Sequence, residues 1–184
     1  AATRVDVNGL IEKGRENLLL QSNQFDNAYW SKSDSSIVTG QADPNGGSNS
    51  FKIVENTNTA YHRIFGNYTM VNGNVYSTSV TAKAAGRNFL TLSNNVSAGT
   101  CIFNLTDGSI SLQESNVISA SATSLGGGWY RCEMVAVGDK SGVYNVFIGC
   151  DDDGLIAPYA GDGTSGVLIY QSQLEKSMVA TDYI

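Results

Sequence analysis

Short segments rich in β-branched and aromatic residues recur along most of the sequence, and they are its strongest constraint on the fold. Several alternate polar with apolar side chains; they are residues 61–65, 75–83, 89–92, 101–105, 129–137, 143–149 and 167–170. Turn-forming pairs such as Asn72-Gly73 and Asp107-Gly108 separate them, and no convincing amphipathic helix lies between them. Strands of this length and spacing predict an all-β protein, an antiparallel sandwich or barrel.

The organisation along the chain is that of one domain with a leading arm. Residues 1–16 have few strand-forming residues and are interpreted as an extended N-terminal arm, with a small hairpin around Asn8-Gly9. The β-rich domain covers residues 17–184, and residues 31–50 within it are interpreted as loop-rich. Asp107-Gly108, which lies between the segments Phe103-Asn-Leu105 and Ile110-Ser-Leu112, gives the most specific hairpin signal.

Composition excludes several classes of function. The 184 residues include 11 Lys and Arg against 17 Asp and Glu, a formal charge of −6, which argues against a general nucleic-acid partner. No run of 18 apolar residues is present, so no membrane-spanning segment is expected. A single His and three Cys cannot supply the usual four-ligand zinc sites unless carboxylates complete them, which argues against metal-based and His-based catalysis.

The three cysteines lie in apolar segments and are interpreted as small buried hydrophobic residues. They are Cys101, Cys132 and Cys150, and their odd number leaves at least one thiol unpaired within the chain. A Cys132–Cys150 disulfide stays open at this point.

Four segments together resemble a known family. They are the opening from Asn17 to Trp30, the strand from Val75 to Gly86, the Gly128-Trp-Tyr-Arg-Cys132 strand, and the closing stretch from Tyr159 through Glu175 to Ile184. In this order they resemble the carbohydrate-binding-module-like jelly rolls of phage tail, head-fibre and spike proteins. The resemblance implies a two-sheet, lectin-like β-sandwich jelly roll.

The sequence also departs from that family. Thr78 and Thr81 stand where the family has aromatics, and Tyr170 stands where it has a Trp. The chain begins without Met and stops at Ile184, where related sequences continue. We therefore expect it to be a piece of a longer polypeptide, either an expressed domain or the ordered part of a fibre. If it binds sugars weakly, several copies would raise the avidity, so a trimeric fibre with other virion subunits as partners is the expected context.

Residues 61–68 hold the best concentration of recognition chemistry. Strand alternation places Tyr61, Arg63 and Phe65 on one face and His62 and Ile64 on the other. Aromatic rings beside a guanidinium suit a sugar ring that bears a carboxylate or sulfate, because Arg offers a planar fork. The alternative is an ordinary strand in which an exposed Arg lies along half-buried rings.

Further ligand candidates are Trp30 and Lys83. Trp30 could stack on a pyranose ring, although burial in the core is favoured for it and more strongly for Trp129. Strand 75–83 presents Ser77, Ser79, Thr81 and Lys83 on one face, which is interpreted chiefly as a solvated sheet surface. We expect the strands at 61–65 and 75–83 to form one polar binding face.

Acidic residues cluster at Asp151-Asp152-Asp153 and at Asp162. Carboxylates from Asp151, Asp153 and Asp162 are weak candidates for a structural Ca²⁺, which takes six to eight oxygen ligands, whereas turns with charged tips are the favoured interpretation. No cofactor is required by any motif.

No catalytic constellation is apparent in the sequence. A glycosidase needs two carboxylates on either side of the scissile bond, and no nucleophile-elbow or phosphate-loop motif occurs. The leading hypothesis is a non-catalytic glycan-recognition module of a phage fibre or spike, on the virion surface or otherwise extracellular. The alternatives are a carbohydrate-binding module attached to a secreted polysaccharide-degrading enzyme and a purely structural decoration domain.

Overall fold

A computed structural model of the chain describes residues 3–5, 9–97 and 99–184. Within these residues every regular element is a strand, and there is no helix. The strands are β1 (Thr3–Val5), β2 (Ile11–Lys13), β3 (Ser31–Ser33), β4 (Ser35–Gln41), β5 (Ser50–Glu55), β6 (Thr59–Ala60), β7 (His62–Met70), β8 (Val75–Ala85), β9 (Phe89–Ser93), β10 (Thr100–Asn104), β11 (Ile110–Gln113), β12 (Val117–Gly126), β13 (Trp129–Val137), β14 (Gly142–Asp151), β15 (Tyr159–Ala160) and β16 (Gly166–Glu175).

Two six-stranded antiparallel sheets form the body of the protein. The first sheet has the order β11-β10-β9-β14-β7-β3, and the second sheet has the order β12-β13-β8-β16-β5-β4. The chain visits the eight central strands in the order β5, β7, β8, β9, β10, β13, β14, β16, and all but the β9–β10 step cross between the sheets. The resulting four-strand sets, β10-β9-β14-β7 and β13-β8-β16-β5, define the jelly-roll topology. The predicted fold class is confirmed.

The core lies between the two sheets and is filled by every second side chain of the central strands. Ile64, Val146 and Ile148 of the first sheet belong to the same buried cluster as Val80 and Ile169 of the second. This alternation follows from strand geometry, in which successive side chains point to opposite faces. The inward-facing side chains are therefore buried in the core, so a ligand could contact only the outer faces, the edge strands and the loops.

The seven predicted strands are all present, with bounds within a few residues of those expected. The Asp107-Gly108 hairpin is also confirmed: β10 pairs with β11, Gly108 has a φ of 79°, and the Asp107 carboxylate accepts the Ser109 amide at 2.9 Å. In the arm, β1 pairs with β2 around Gly9, whereas Asn8 lies outside the described residues.

The interpretation of residues 31–50 as loop-rich is wrong for its first part. Residues 31–33 and 35–41 form β3 and β4, which are the edge strands of the first and second sheets. Both are mostly polar and largely exposed, because one side of an edge strand faces solvent. Their sequence therefore lacks the apolar alternation that marks the central strands.

The polar row of β8 is buried, so its interpretation as a solvated surface is also wrong. Ser77, Ser79 and Thr81 are all buried on the outer side of the second sheet. Arg131 and the chain segment around Thr181 cover this side: Arg131 Nη2 donates to Ser79 Oγ at 3.2 Å and also to the Thr181 carbonyl. The Thr181 amide in turn donates to Glu175 at 2.8 Å.

All three cysteines are free thiols and buried, as the first interpretation predicted. Cys132 lies on β13 in the second sheet and Cys150 on β14 in the first, so the structure has no disulfide between them. A search of the described residues for helices long and apolar enough to cross a bilayer finds none.

Candidate functional site

The outer face of the first sheet carries an open groove of about 350 Å³, which we call the Arg63 groove. Strand register builds its floor from two cross-strand rows. In one row Arg63 of β7 lies opposite Gly149 of β14, which lies opposite Thr91 of β9. In the next row Phe147 lies between Phe65 and Ser93. Adjacent strands thus place a cation, aromatic rings and hydroxyls side by side.

The Arg63 guanidinium contacts two aromatic rings. Its guanidinium carbon lies 4.2 Å from the ring centroid of Phe147 and 5.1 Å from that of Tyr61, distances typical of cation–π contacts. The opposing Gly149 leaves room for the Arg63 stem, because a Cβ there would lie 2.9 Å from Arg63 Cβ. Burial lowers the pKa of the guanidinium from its ordinary value, although an Arg stays charged in proteins.

The rim of the Arg63 groove is polar and includes Thr100, Asn95, Glu114 and Asp151. The Glu114 carboxylate accepts the Thr100 amide at 2.8 Å, and Asp151 accepts the Gly154 amide at 2.7 Å. Burial raises the pKa of Asp151, and hydrogen bonds from the Gly154 and Asp153 amides offset part of this effect, which leaves the pKa at about 6. Asn95 has a φ of 58°, one of few non-glycine residues in the left-handed region. Such strained positions cluster at functional sites in proteins.

The structure brings three of the predicted ligand residues to this side of the first sheet. The predicted alternation is confirmed: His62 and Ile64 are buried, whereas Tyr61, Arg63 and Phe65 are on the outer face. Tyr61, at 38% exposure, is the accessible ring, and Phe65 packs against Phe147 with ring centroids 5.4 Å apart. Their role in ligand binding stays a prediction.

Sequence reasoning missed Phe147, the ring that lies closest to the Arg63 guanidinium. Its strand was predicted correctly, and alternation within residues 143–149 places Phe147 on the face opposite Val146 and Ile148. The alternation in the sequence is therefore enough to predict that Phe147 lies on an outer face. The pairing of this strand with β7, however, depends on the tertiary fold and is absent from the local pattern.

Lys83 does not share a face with Arg63. It lies on β8 of the second sheet, opposite Trp129 in the register, whereas Arg63 lies on the first sheet. The expectation that the strands at 61–65 and 75–83 form one binding face is therefore wrong. Consecutive jelly-roll strands β7 and β8 cross from one sheet to the other, which separates their side chains.

Trp30 is a core residue, so its predicted role as an exposed stacking platform is wrong. Its side chain is 1% exposed, its ring packs 5.1 Å from Phe25, and its Nε1 donates to the Gln21 carbonyl at 3.0 Å. A ring enclosed in this way has no free face for a sugar. Trp129 is buried too, as expected.

The acidic candidates fall into two unrelated turns. Carboxylate oxygens of Asp151, Asp152 and Asp153 lie within 4.8 Å of one another, and Asp162 is not part of that group. Asp162 instead accepts the Thr164 and Ser165 amides at 2.7 and 2.6 Å. Three neighbouring carboxylates supply at most part of the oxygen set that Ca²⁺ takes, so turns with charged tips stay the favoured interpretation and a structural Ca²⁺ the weaker one.

Comparisons with known proteins find structures with a similar fold. No family model and no curated protein match the chain. Among solved structures, the enzymatically active domain of bacteriophage CBA120 tailspike protein 4 aligns over 86% of this chain at 14% identity with a TM-score of 0.53. The aligned region is 21% of that tailspike chain. At this identity the likeness shows a shared fold.

Two carbohydrate-binding modules align with lower scores. TmCBM61, solved with β-1,4-galactotriose, aligns over 88% of this chain and 99% of its own at 11% identity and a TM-score of 0.49. TmCBM27, a module that recognises mannan, aligns over 90% and 97% at 12% identity and a TM-score of 0.40. The strand order and the tailspike likeness confirm, at the level of fold, the jelly-roll resemblance seen in the sequence.

Proposed function

We propose that this domain is a non-catalytic glycan-recognition module of a phage fibre or spike, which contacts host-surface polysaccharide. The observation that carries the proposal is the floor of the Arg63 groove, where the accessible Tyr61 ring, the Arg63 guanidinium and the Thr91 and Ser93 hydroxyls line one open trough. Sugar rings offer apolar faces to aromatic side chains and hydroxyls to polar ones, and both kinds of partner are present here.

The non-catalytic part of the proposal comes from the sequence, in which no catalytic motif is apparent. Glycoside hydrolysis requires one carboxyl group as acid and a second as base or nucleophile. In the groove Glu114 accepts the Thr100 amide and Asp151 accepts the Gly154 amide, each through one oxygen. A turnover assay on any glycan that binds tests the non-catalytic role directly, and release of shorter products would contradict it.

The phage setting is supported by the family-like segments of the sequence. A module with one shallow groove binds a polymer weakly, but several copies on one particle raise the overall avidity by orders of magnitude. A trimeric fibre on the virion surface, in contact with other fibre subunits, would supply these copies. A purely structural decoration is the alternative that the experiment below separates. Attachment of the same module to a secreted enzyme is separated by the sequence of the full-length polypeptide, which would carry a catalytic domain.

The test is a glycan array probed with a multimeric form of the domain and with matched variants. We expect Tyr61→Ala and Phe147→Ala each to reduce binding about 5- to 150-fold, since stacking of a nucleic-acid base on an aromatic side chain, a comparable contact, contributes about 1–3 kcal/mol. Lys83→Ala is the control, because Lys83 lies on the other sheet and should leave binding unchanged. Absence of binding to every glycan, with phage adsorption unimpaired by Tyr61→Ala, would favour the structural decoration.

A further inference from the structure

Arg63 lacks the partner that a half-buried cation normally has. Its Nε atom is buried and has no hydrogen-bond partner, and no carboxylate of the described residues lies within 4.0 Å of the guanidinium. Buried polar groups in native proteins are nearly always paired, and an unpaired donor costs about 1–3 kcal/mol. A buried, unpaired Nε–H on a guanidinium that lines an open groove therefore needs an explanation.

The other two arginines of the β-sandwich, in contrast, are each paired with a carboxylate. Arg87 is paired with Glu55 through two hydrogen bonds, and Arg131 is paired with Glu133. Both are thus neutralised by a carboxylate of the same chain. Arg63 is held in place instead by the Phe147 and Tyr61 rings, which orient the planar group and leave its donors unused.

We propose that Arg63 is the anchor for an acidic saccharide, a sugar ring bearing a carboxylate or sulfate that accepts hydrogen bonds from the guanidinium. This inference rests on the proposed function of the groove and names its ligand class. The planar fork matches two oxygens of one oxyanion, and Tyr61 is the accessible ring next to it for the sugar face. The Thr91 and Ser93 hydroxyls line the floor on the far side of β14, within the same groove.

The acidic groups that share the groove do not neutralise Arg63. Glu114 and Asp151 line the rim, and each has a carboxylate oxygen engaged with a backbone amide of its own loop. Their negative charge, and the net charge of −6 on the whole chain, oppose the approach of a polyanion. Binding must therefore depend on the local contact with Arg63 rather than on long-range attraction, and added salt should weaken it only modestly.

The test is affinity gel electrophoresis of the domain through gels that contain one polysaccharide each. In fully methyl-esterified polygalacturonate a neutral methyl ester replaces each carboxylate of the same backbone, and dextran sulfate and dextran differ only in the sulfate. We expect retardation by at least one acidic polymer, with an affinity about tenfold or more above that for its neutral counterpart. Arg63→Gln should abolish that preference, and Arg63→Lys should restore part of it.

The outcomes separate this inference from the proposed function. Lys83→Gln is the matched control, since it removes a cation from the other sheet, and it should keep the preference of the unmodified protein. Equal retardation by acidic and neutral polymers overturns the acidic ligand class and leaves glycan recognition intact. A preference that survives Arg63→Gln also overturns it, whereas retardation by no polymer counts against both proposals. Thermal unfolding of each variant confirms that it is folded, and Arg63→Lys keeps the charge if Arg63→Gln does not fold.

Discussion

Arg87 donates two hydrogen bonds to the buried carboxylate of Glu55, from Nε at 2.8 Å and from Nη2 at 2.5 Å. The Tyr159 hydroxyl and the Asp162 amide donate to the same carboxylate at 2.7 Å each. Four donors therefore satisfy one anion that is 1% exposed. This network joins the end of β5 to the chain after β8 and to β15. It lies at the end of the sandwich where β7 starts, since the His62 ring packs against the Tyr159 ring.

Removing the charge of Glu55 should destabilise the fold strongly. Glu55→Gln removes the closer counter-ion of Arg87 and leaves only Asp162, whose carboxylate lies 3.9 Å from Nη2. Breaking a buried pair costs about 3–5 kcal/mol, and we expect a loss near the lower end of that range because Arg87 is partly exposed. The measurement is the free energy of unfolding from urea titration. Glu133→Gln is the control, because its pair with Arg131 is more exposed and should cost about 1 kcal/mol or less. Equal losses in the two variants would contradict the prediction.

Stability should also fall in acid through Glu55. Burial by itself raises the pKa of this carboxyl, but the hydrogen bonds from Arg87, Tyr159 and Asp162 outweigh it, and the pKa lies below its ordinary value of 4.5. A lowered folded-state pKa means that this stabilisation is complete above the unfolded-state pKa and is lost as the pH falls through the folded-state value. Urea titrations between pH 7 and pH 3 should show a steeper decline for the unmodified protein than for Glu55→Gln, and parallel curves would refute this.

The three thiols should be unreactive in the folded protein. Burial raises the pKa of Cys101 to about 12 and that of Cys150 to about 11, and it raises the pKa of Cys132 as well. The thiolate is the reactive form, so a disulfide reagent at pH 8 should label none of them until denaturant is added, when all three should react. Rapid labelling of even one thiol in the native state would show that its segment opens readily.

The fold should not depend on a divalent ion. In the 151–153 turn, Asp151 accepts the Gly154 amide and Asp153 accepts the Leu155 amide, so both carboxylates already have partners. We expect the melting temperature in excess chelator to equal that in millimolar calcium within about 1 °C, because an ion that does not bind the native state adds no stability. A rise of several degrees in calcium that Asp153→Asn removes would instead establish a site here.

Much of the fold could be predicted because strand alternation is a local property. Tyr61, Arg63 and Phe65 were placed on one outer face by the period of two alone, and the structure agrees. The groove itself could not be predicted in full, since it needs Phe147 from a strand about eighty residues away along the chain. Which strands become neighbours depends on the jelly-roll crossings, and no short segment encodes them.

The burial of the outer side of the second sheet also could not be predicted from the sequence of its own strands. A row of Ser77, Ser79 and Thr81 looks solvated in the sequence, because small hydroxyl side chains usually face water. In the structure Arg131 and the segment around Thr181 cover it. Burial imposed by a distant segment leaves no trace in the alternation of the strand that it covers.

Strand β16 pairs with two strands that lie far upstream in the chain, and this affects how the protein folds. Residues 166–175 lie between β5 and β8, so two of the pairings at the centre of the second sheet join segments about 90 to 115 residues apart. Loops of that length must close before those pairings contribute any energy, and domains dominated by such contacts fold in milliseconds to seconds. During synthesis, a nascent chain that has not yet released this strand from the ribosome exposes the facing edges of β5 and β8 to aberrant pairing.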